Sequence, residues 1–298
     1  MVKVKAIFSL VRWTNLIIIA ATMLVSFFAL QGQKIQLISL DLNGLIMITL
    51  SVVFIAAAGN VINDVQDYEI DLINKPDKVI IEKHLSKYGA NVLYVVLNVL
   101  ALMLSALVGA KTQFEGGFYI IPIMIGLLYL YSMYFKKMPL IGNIVVALLS
   151  ASAIVIPHWF NNQSFHYEDQ IVAYLYFAFA LILSLVREIV KDIEDIEGDK
   201  AQGAKTLPIL VGVKASKGVA IGGLITLVII LFNLQLFFKS FFEIELAEML
   251  VITPINSIIF LLGFNIYRAK DKQDYHKISI LCKIVMVLGI LSMLLFLS

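Results

Sequence analysis

Stretches of about 20 predominantly apolar residues, each long enough to span a bilayer as a helix, restrict this fold more than any other feature. Nine such stretches recur, near 13–31, 42–62, 88–109, 117–135, 139–159, 170–190, 215–237, 246–266 and 278–297. In lipid the backbone must satisfy its own polar groups, which a helix does within a single segment. The chain is therefore expected to be an all-α integral membrane protein with nine transmembrane helices. It is 60% hydrophobic and 15% charged, against roughly 45–50% and about 25% in soluble domains. The spans consume nearly all 298 residues, so residues 1–298 are expected to form a single membrane domain. Between the fourth and fifth runs lies only "KKMP", where Pro139 is expected to open the fifth helix.

Composition also removes several function classes. A net charge of +2 is too small to point to nucleic acid, and no feature points to a protein partner. Cys282 is the only cysteine, so it has neither a disulfide partner nor a second thiolate ligand. The four histidines, His84, His158, His166 and His276, lack metal-binding spacing, which sets zinc and haem aside. The opening "MVKVKAIFSLVRW" has the charge of a signal-peptide start. The apolar run after Arg12 is too long for a signal core and has no clear small-residue cleavage site, so a short interfacial helix is expected.

Orientation follows from lysine and arginine. One set of loops holds Lys3, Lys5, Arg12, Lys75, Lys78, Lys83, Lys87, Lys136, Lys137, the 187–217 region and "YRAKDKQDYHK". The alternate loops hold only Lys34, Lys111 and Lys239. This bias places the N-terminus on the cytoplasmic side of an inner or plasma membrane.

Two acidic stretches break the apolar pattern on that cytoplasmic side. "NDVQDYEID" follows the second run and "DIEDIEGD" follows the sixth. Asp64, Asp67 and Asp71 match Asp192, Asp195 and Asp199 at an offset of 128 residues, and Asn60 matches Glu188. The correspondence raises the question of a structural repeat, although the halves are not otherwise clearly similar. If each stretch continues its span as a helix, Asn60, Asn63, Asp64, Asp67 and Asp71 fall within an arc of roughly 100°. Glu188, Asp192, Asp195 and Asp199 fall within roughly 60°. Glu69, Glu194 and Glu197 lie off these stripes and are expected to be solvated.

Carboxylates crowded on one face repel each other and resist burial, so a stripe of them calls for a cation. Oxygen donors without His or Cys favour Mg²⁺ or Ca²⁺ over zinc, and Mg²⁺ keeps positions open for water and substrate phosphates. Two facing stripes would hold Mg²⁺ ions with a diphosphate between them. A solvated helix end explains one stripe alone. Two stripes with identical spacing on one side of the membrane weaken that explanation. A cation transport path would need polar residues deep within the spans, which contain almost none.

Basic residues supply the complement. Arg12, Lys75, Lys78, Lys136, Lys137, Lys191, Lys200 and Lys205 lie near the cytoplasmic rim. They suit phosphate oxygens as point charges, and they equally suit positive-inside topology and lipid headgroups. Lys75 stands out because it follows the first stripe by one helical turn, and Lys205 because it sits in "GAKTLP". Tyr129, Tyr131 and Tyr134 close the fourth run. They are either interfacial anchors or π-faces lining a pocket in which a carbocation forms.

"NVINDVQDYEIDLINKP" and "REIVKDIEDIEGDKAQGAKTLP" resemble the two Asp-rich motifs, NDxxDxxxD and DxxDxxxD, of the UbiA superfamily of intramembrane prenyltransferases. "VRWTN", with Arg12 and Asn15, is similar to the family's first-helix R-P-x-N pattern with Trp13 in place of Pro. "YSMYFKKMPLIGNIVVAL" resembles its span-four to span-five segment, so the likeness covers nearly the whole chain. It implies nine helices around a central cavity capped by the cytoplasmic acidic segments. It also implies Mg²⁺ bridging the carboxylates to an allylic prenyl diphosphate. By motif position Asn63, Asp67, Asp195 and Asp199 would be the nearest Mg²⁺ ligands, with Asp64, Asp71 and Asp192 as ligands or water-bridged partners. Arg12, Asn15, Asn60, Lys75, Lys136, Lys191 and Lys205 are the candidates for the diphosphate. Asp67, Asp71, Asp195, Asp199, Lys75 and Tyr131 are the candidates for catalysis.

The first motif looks most like the branch that alkylates geranylgeranylglyceryl phosphate. Tyr68 stands where aromatic-acceptor branches often carry Arg. The segment after Lys75-Pro76, "DKVIIEKHLS", departs from both patterns. An aromatic acceptor of the quinone pathways, such as 4-hydroxybenzoate or dihydroxynaphthoate, is the alternative. A cation transporter and a non-catalytic isoprenoid-binding protein are the alternatives of other classes.

Overall fold

A computed structural model describes residues 2–30, 39–74, 79–161, 167–201, 203–241 and 246–294. The helices in chain order are α1 (Val2–Leu10), α2 (Trp13–Ala29), α3 (Leu42–Gln66), α4 (Tyr68–Asn74), α5 (Lys87–Thr112) and α6 (Ile120–Met133). They continue with α7 (Ile141–Phe160), α8 (Tyr167–Glu194), α9 (Ile196–Ala201), α10 (Leu207–Phe241), α11 (Leu246–Arg268) and α12 (Lys272–Ser292). Among the described residues, seven helices are long and apolar enough to cross a membrane. The expected count of nine is thus not established. The first run forms the 17-residue α2, and the eighth lies in α11. The protein is a multi-pass, all-helical membrane protein, and α1 is the short helix expected before the first span.

Sequence sets the helix ends locally. Asp41 caps α3 by accepting from the Gly44 N–H at 2.9 Å, and Ser86 caps α5 by accepting from Gly89 N–H at 3.1 Å. Lys111 donates to Asp41 at 2.7 Å; together with the Gly44 N–H it holds the Asp41 carboxyl below the usual carboxylate range. Pro139 lies in the turn before α7 and does not open it. α10 is interrupted at Gly212, where φ is +83°. A side chain would be strained in that conformation, so the long apolar run is two helices joined at a glycine.

The chain forms two compact units. In the first (Met1–Phe27, Lys34–Phe135, Ile156–Phe165), α3 packs against α5 and α6. Ser51 Oγ donates to the Ala101 carbonyl at 2.7 Å, crossing from α3 to α5. Gly109 and Gly117 approach so closely that a Cβ on Gly117 would lie 2.6 Å from Gly109 Cα. Ser105 Oγ donates to the Gly117 carbonyl at 2.7 Å, closing the same contact. One face of α5 exposes Val92, Val95, Val99, Met103 and Leu107, an apolar stripe suited to lipid. Leu10, Val61, Val65, Ile81 and Ala90 form a buried cluster, with Tyr68 packed against it. It lies at the end of α3 that leads into the first acidic stretch.

In the second unit (Phe28–Gln33, Lys136–Val155, His166–Ser298), α8 packs against α10 and α12, and α11 against both α10 and α12. Small residues allow two of these contacts. A Cβ on Gly223 would lie 2.9 Å from Val186 Cγ2, and one on Gly289 would lie 2.9 Å from Phe179 Cε1.

Candidate functional site

Each acidic stretch begins on the last turn of a long helix and ends on a short one. Neither continues as a single helix. α3 stops at Gln66 and α4 starts at Tyr68; α8 stops at Glu194 and α9 starts at Ile196. The interrupting residues are Asp67 and Asp195, which the sequence spacing also pairs. The interruption is slight. Asp67 stays near helical geometry, with φ −85° and ψ −1°. Its N–H donates to the Asn63 carbonyl at 2.9 Å, and Asp71 N–H donates to the Asp67 carbonyl at 2.8 Å. At the second stretch Asp195 N–H donates to Lys191 at 2.9 Å and Asp199 N–H to Asp195 at 3.0 Å. Backbone bonds four residues apart thus run through both breaks and keep the spaced acids on one side.

In the first unit Asn63 Nδ2 donates to Asp67 Oδ2 at 2.9 Å. Arg12, in the turn between α1 and α2 with φ +55°, donates from Nη2 to Asp64 Oδ1 at 3.2 Å. Asn60 Nδ2 donates to the Val11 carbonyl at 3.0 Å, which ties down the turn that presents Arg12. Asn15 is exposed in the first turn of α2. Tyr131 is half-buried near the end of α6, while Tyr129 and Tyr134 are exposed. Lys75 and Lys78 lie outside the described residues.

In the second unit Asp192 Oδ2 accepts from Asn143 Nδ2 at 2.8 Å. Asn143 is buried in the first turn of α7, outside both acidic motifs. The available signal was one amide in "LIGNIVVAL", a polar group in a run of apolar neighbours. Glu188 is buried and holds two cations: Arg187 Nη1 at Oε1 and Lys191 Nζ at Oε2, 3.0 Å away. Lys191 is therefore paired within its own helix. Glu194 is not solvated, since it sits 3.0 Å from His276 Nδ1, whereas Glu69 and Glu197 are exposed as expected. Lys136 is half-buried and Lys205 is exposed. Lys205 N–H donates to the Lys137 carbonyl at 2.9 Å, joining the α6–α7 turn to the α9–α10 loop.

Every candidate ligand presents oxygen, which suits a hard divalent cation. Among the described residues no three His, Cys, Asp or Glu side chains converge to hold a metal by themselves. A cation at either stretch would need water or phosphate oxygens to complete its coordination sphere. Asn143 holds one oxygen of Asp192. Asn143→Ala is expected to lower metal affinity or turnover about 10- to 100-fold. A metal titration of the variant beside the parent chain checks this.

A family model described as the UbiA prenyltransferase family matches residues 19–281. The digeranylgeranylglyceryl phosphate synthase of Methanobrevibacter smithii is 36% identical over 255 residues, covering 83% of this chain and 85% of that one. The enzyme of the same name from Sulfurisphaera tokodaii is 32% identical over 284 residues, covering 95% and 96%. A solved structure from work on digeranylgeranylglyceryl phosphate synthase in membranes is similar with a TM-score of 0.76 at 27% identity. The match covers 100% of this chain and 99% of that one. A UbiA homolog from Archaeoglobus fulgidus bound to GPP and Mg²⁺ shares the fold, with a TM-score of 0.66 at 18% identity and coverage of 97% and 99%.

Proposed function

We propose, because the chain belongs to the UbiA prenyltransferase family, that it transfers a prenyl group from an allylic prenyl diphosphate to geranylgeranylglyceryl phosphate. The observation that carries the acceptor is the likeness to curated relatives named digeranylgeranylglyceryl phosphate synthase, at 32% identity over 95% of this chain in one case. Tyr68 in the first motif supports the same branch.

In this reading residues 1–298 act as one prenyltransferase domain, and the acidic stretches bind diphosphate through a divalent cation. Asn63, Asp67, Asp195 and Asp199 would hold Mg²⁺, with Asp64, Asp71 and Asp192 as ligands or water-bridged partners. A divalent cation held there would supply positive charge for the departing diphosphate. Arg12, Lys136, Lys191 and Lys205 supply further positive charge, with Arg12 moving from Asp64 and Lys191 from Glu188 as phosphate oxygens arrive. Lys75 belongs to the same group by its place in the sequence. The diphosphate leaves with the electron pair of the C–O bond. The acceptor hydroxyl oxygen then bonds to the allylic carbon and passes its proton to the departed diphosphate. The π-face of Tyr131 would stabilise the positive charge that develops on that carbon. Apolar helix faces keep water from intercepting it. The lysine and arginine bias supports a cytoplasmic N-terminus and cytoplasmic acidic stretches.

The test is an acceptor screen in membranes with labelled geranylgeranyl diphosphate, with and without Mg²⁺. Label is expected on geranylgeranylglyceryl phosphate only when Mg²⁺ is present. Transfer to 4-hydroxybenzoate or dihydroxynaphthoate instead would assign the chain to an aromatic branch. Absence of transfer to every acceptor would refute the enzymatic reading.

A further inference from the structure

The α11–α12 connection is built firmly. The Ala269 carbonyl accepts from Lys217 Nζ and from the Tyr275 hydroxyl, the latter at 3.4 Å. The Lys217 ammonium lies 5.5 Å from the centre of the Tyr275 ring. Asp271 caps α12 by accepting from Asp274 N–H at 2.9 Å, and Asp274 accepts in turn from Lys270 N–H at 2.9 Å. These bonds fix the first turn of α12, and that turn meets the α8–α9 junction. Lys272 Nζ lies 3.7 Å from Asp195 Oδ1, and His276 Nδ1 lies 3.0 Å from Glu194 Oε1. Lys272 and His276 are four residues apart, one turn along the same helix face. All of these residues belong to one compact unit.

The Lys272 and Asp195 side chains are 69% and 41% exposed. An exposed pair of this kind contributes little to stability. Its position has a chemical consequence instead. An ammonium and a divalent cation at the same carboxylate repel each other, so metal binding at Asp195 weakens its pair with Lys272. A diphosphate reverses the sign of the field at the same place. Lysine suits such an exchange, being a compact charge with three donors on a flexible stem.

We propose that Lys272 is a ligand-exchanging residue of the second acidic stretch. It neutralises Asp195 in the metal-free protein and passes to diphosphate oxygens once a divalent cation occupies Asp195. The His276–Glu194 bond keeps the first turn of α12 within reach. This inference rests on Asp195 being a metal ligand, as proposed above, and it adds a diphosphate contact that neither acidic motif contains.

Competition gives the proposal a signature that a structural role lacks. Mn²⁺ binding to the purified full-length chain is measured by electron paramagnetic resonance, with Mn²⁺ alone and then with geranylgeranyl diphosphate and no acceptor. Lys272→Met is expected to bind Mn²⁺ alone about two- to fivefold more tightly, and geranylgeranyl diphosphate in the presence of Mn²⁺ about two- to fivefold more weakly. Lys272→Arg should restore both toward the parent values. If both affinities fall together, Lys272 is structural; if neither moves, it faces only solvent or lipid headgroups. Either result overturns the proposal. Asp195→Asn is run alongside. Unchanged Mn²⁺ binding in that variant would remove Asp195 as a ligand, a failure of the underlying reading distinct from a failure of Lys272 alone.

Discussion

Asp67→Ala and Asp195→Ala are each expected to abolish prenyl transfer while the helices stay folded. Both residues stand at the one-residue break between a long and a short helix, and both are half-buried. Neither side chain belongs to a hydrophobic cluster, so its removal leaves no apolar cavity. The loss falls on the transition state, where charge accumulates on the diphosphate. Removing one stabilising group of that kind costs about 10²–10³ in turnover. Labelled transfer by purified variants, with circular dichroism as the folding control, decides the matter. Near-parent activity in either variant would exclude that residue from the metal site.

Glu188→Ala is expected to act on stability before it acts on turnover. Glu188 is 7% exposed and holds Arg187 and Lys191. Truncation leaves two cations beside a buried site on a spanning helix. Breaking a buried ion pair by removing one partner costs about 3–5 kcal/mol. Lys191 is 39% exposed and can turn toward water, so the lower end of that range is expected. Thermal unfolding in detergent measures it. Glu188→Gln, which keeps the shape and one acceptor, should recover part of the loss. A melting temperature equal to the parent's would show that water already solvates both cations.

Much of this was legible in the sequence because the bilayer sets a length scale. Runs such as 42–62 and 88–109 fall inside α3 and α5, since a helix pairs the backbone polar groups of such a run within one segment in lipid. The acidic stretches were legible because crowded carboxylates next to a span have few structural excuses. What escaped was long-range pairing. The amide of Asn60 donates to the Val11 carbonyl, 49 positions earlier, a partner that spacing does not show. Asn143 and Lys272 reach the second stretch from α7 and α12, and no periodicity within the motif can announce a partner from another helix. The breaks at Asp67 and Asp195 were hidden for a different reason. A single displaced residue leaves the helical period almost intact.

Those breaks divide the acids by how each is held. Asp64 lies on the last turn of the 25-residue α3, and Asp192 on the last turn of the 28-residue α8. Each has a side-chain donor drawn from elsewhere in its own unit, Arg12 for one and Asn143 for the other. Asp71 and Asp199 lie in the first turns of α4 and α9, and their N–H groups are bonded back across the break to the Asp67 and Asp195 carbonyls. The same carboxylate chemistry repeated along each stretch thus yields two kinds of acid. One is gripped at its side chain by a donor from another segment, and the other is tethered through its backbone to the acid at the break.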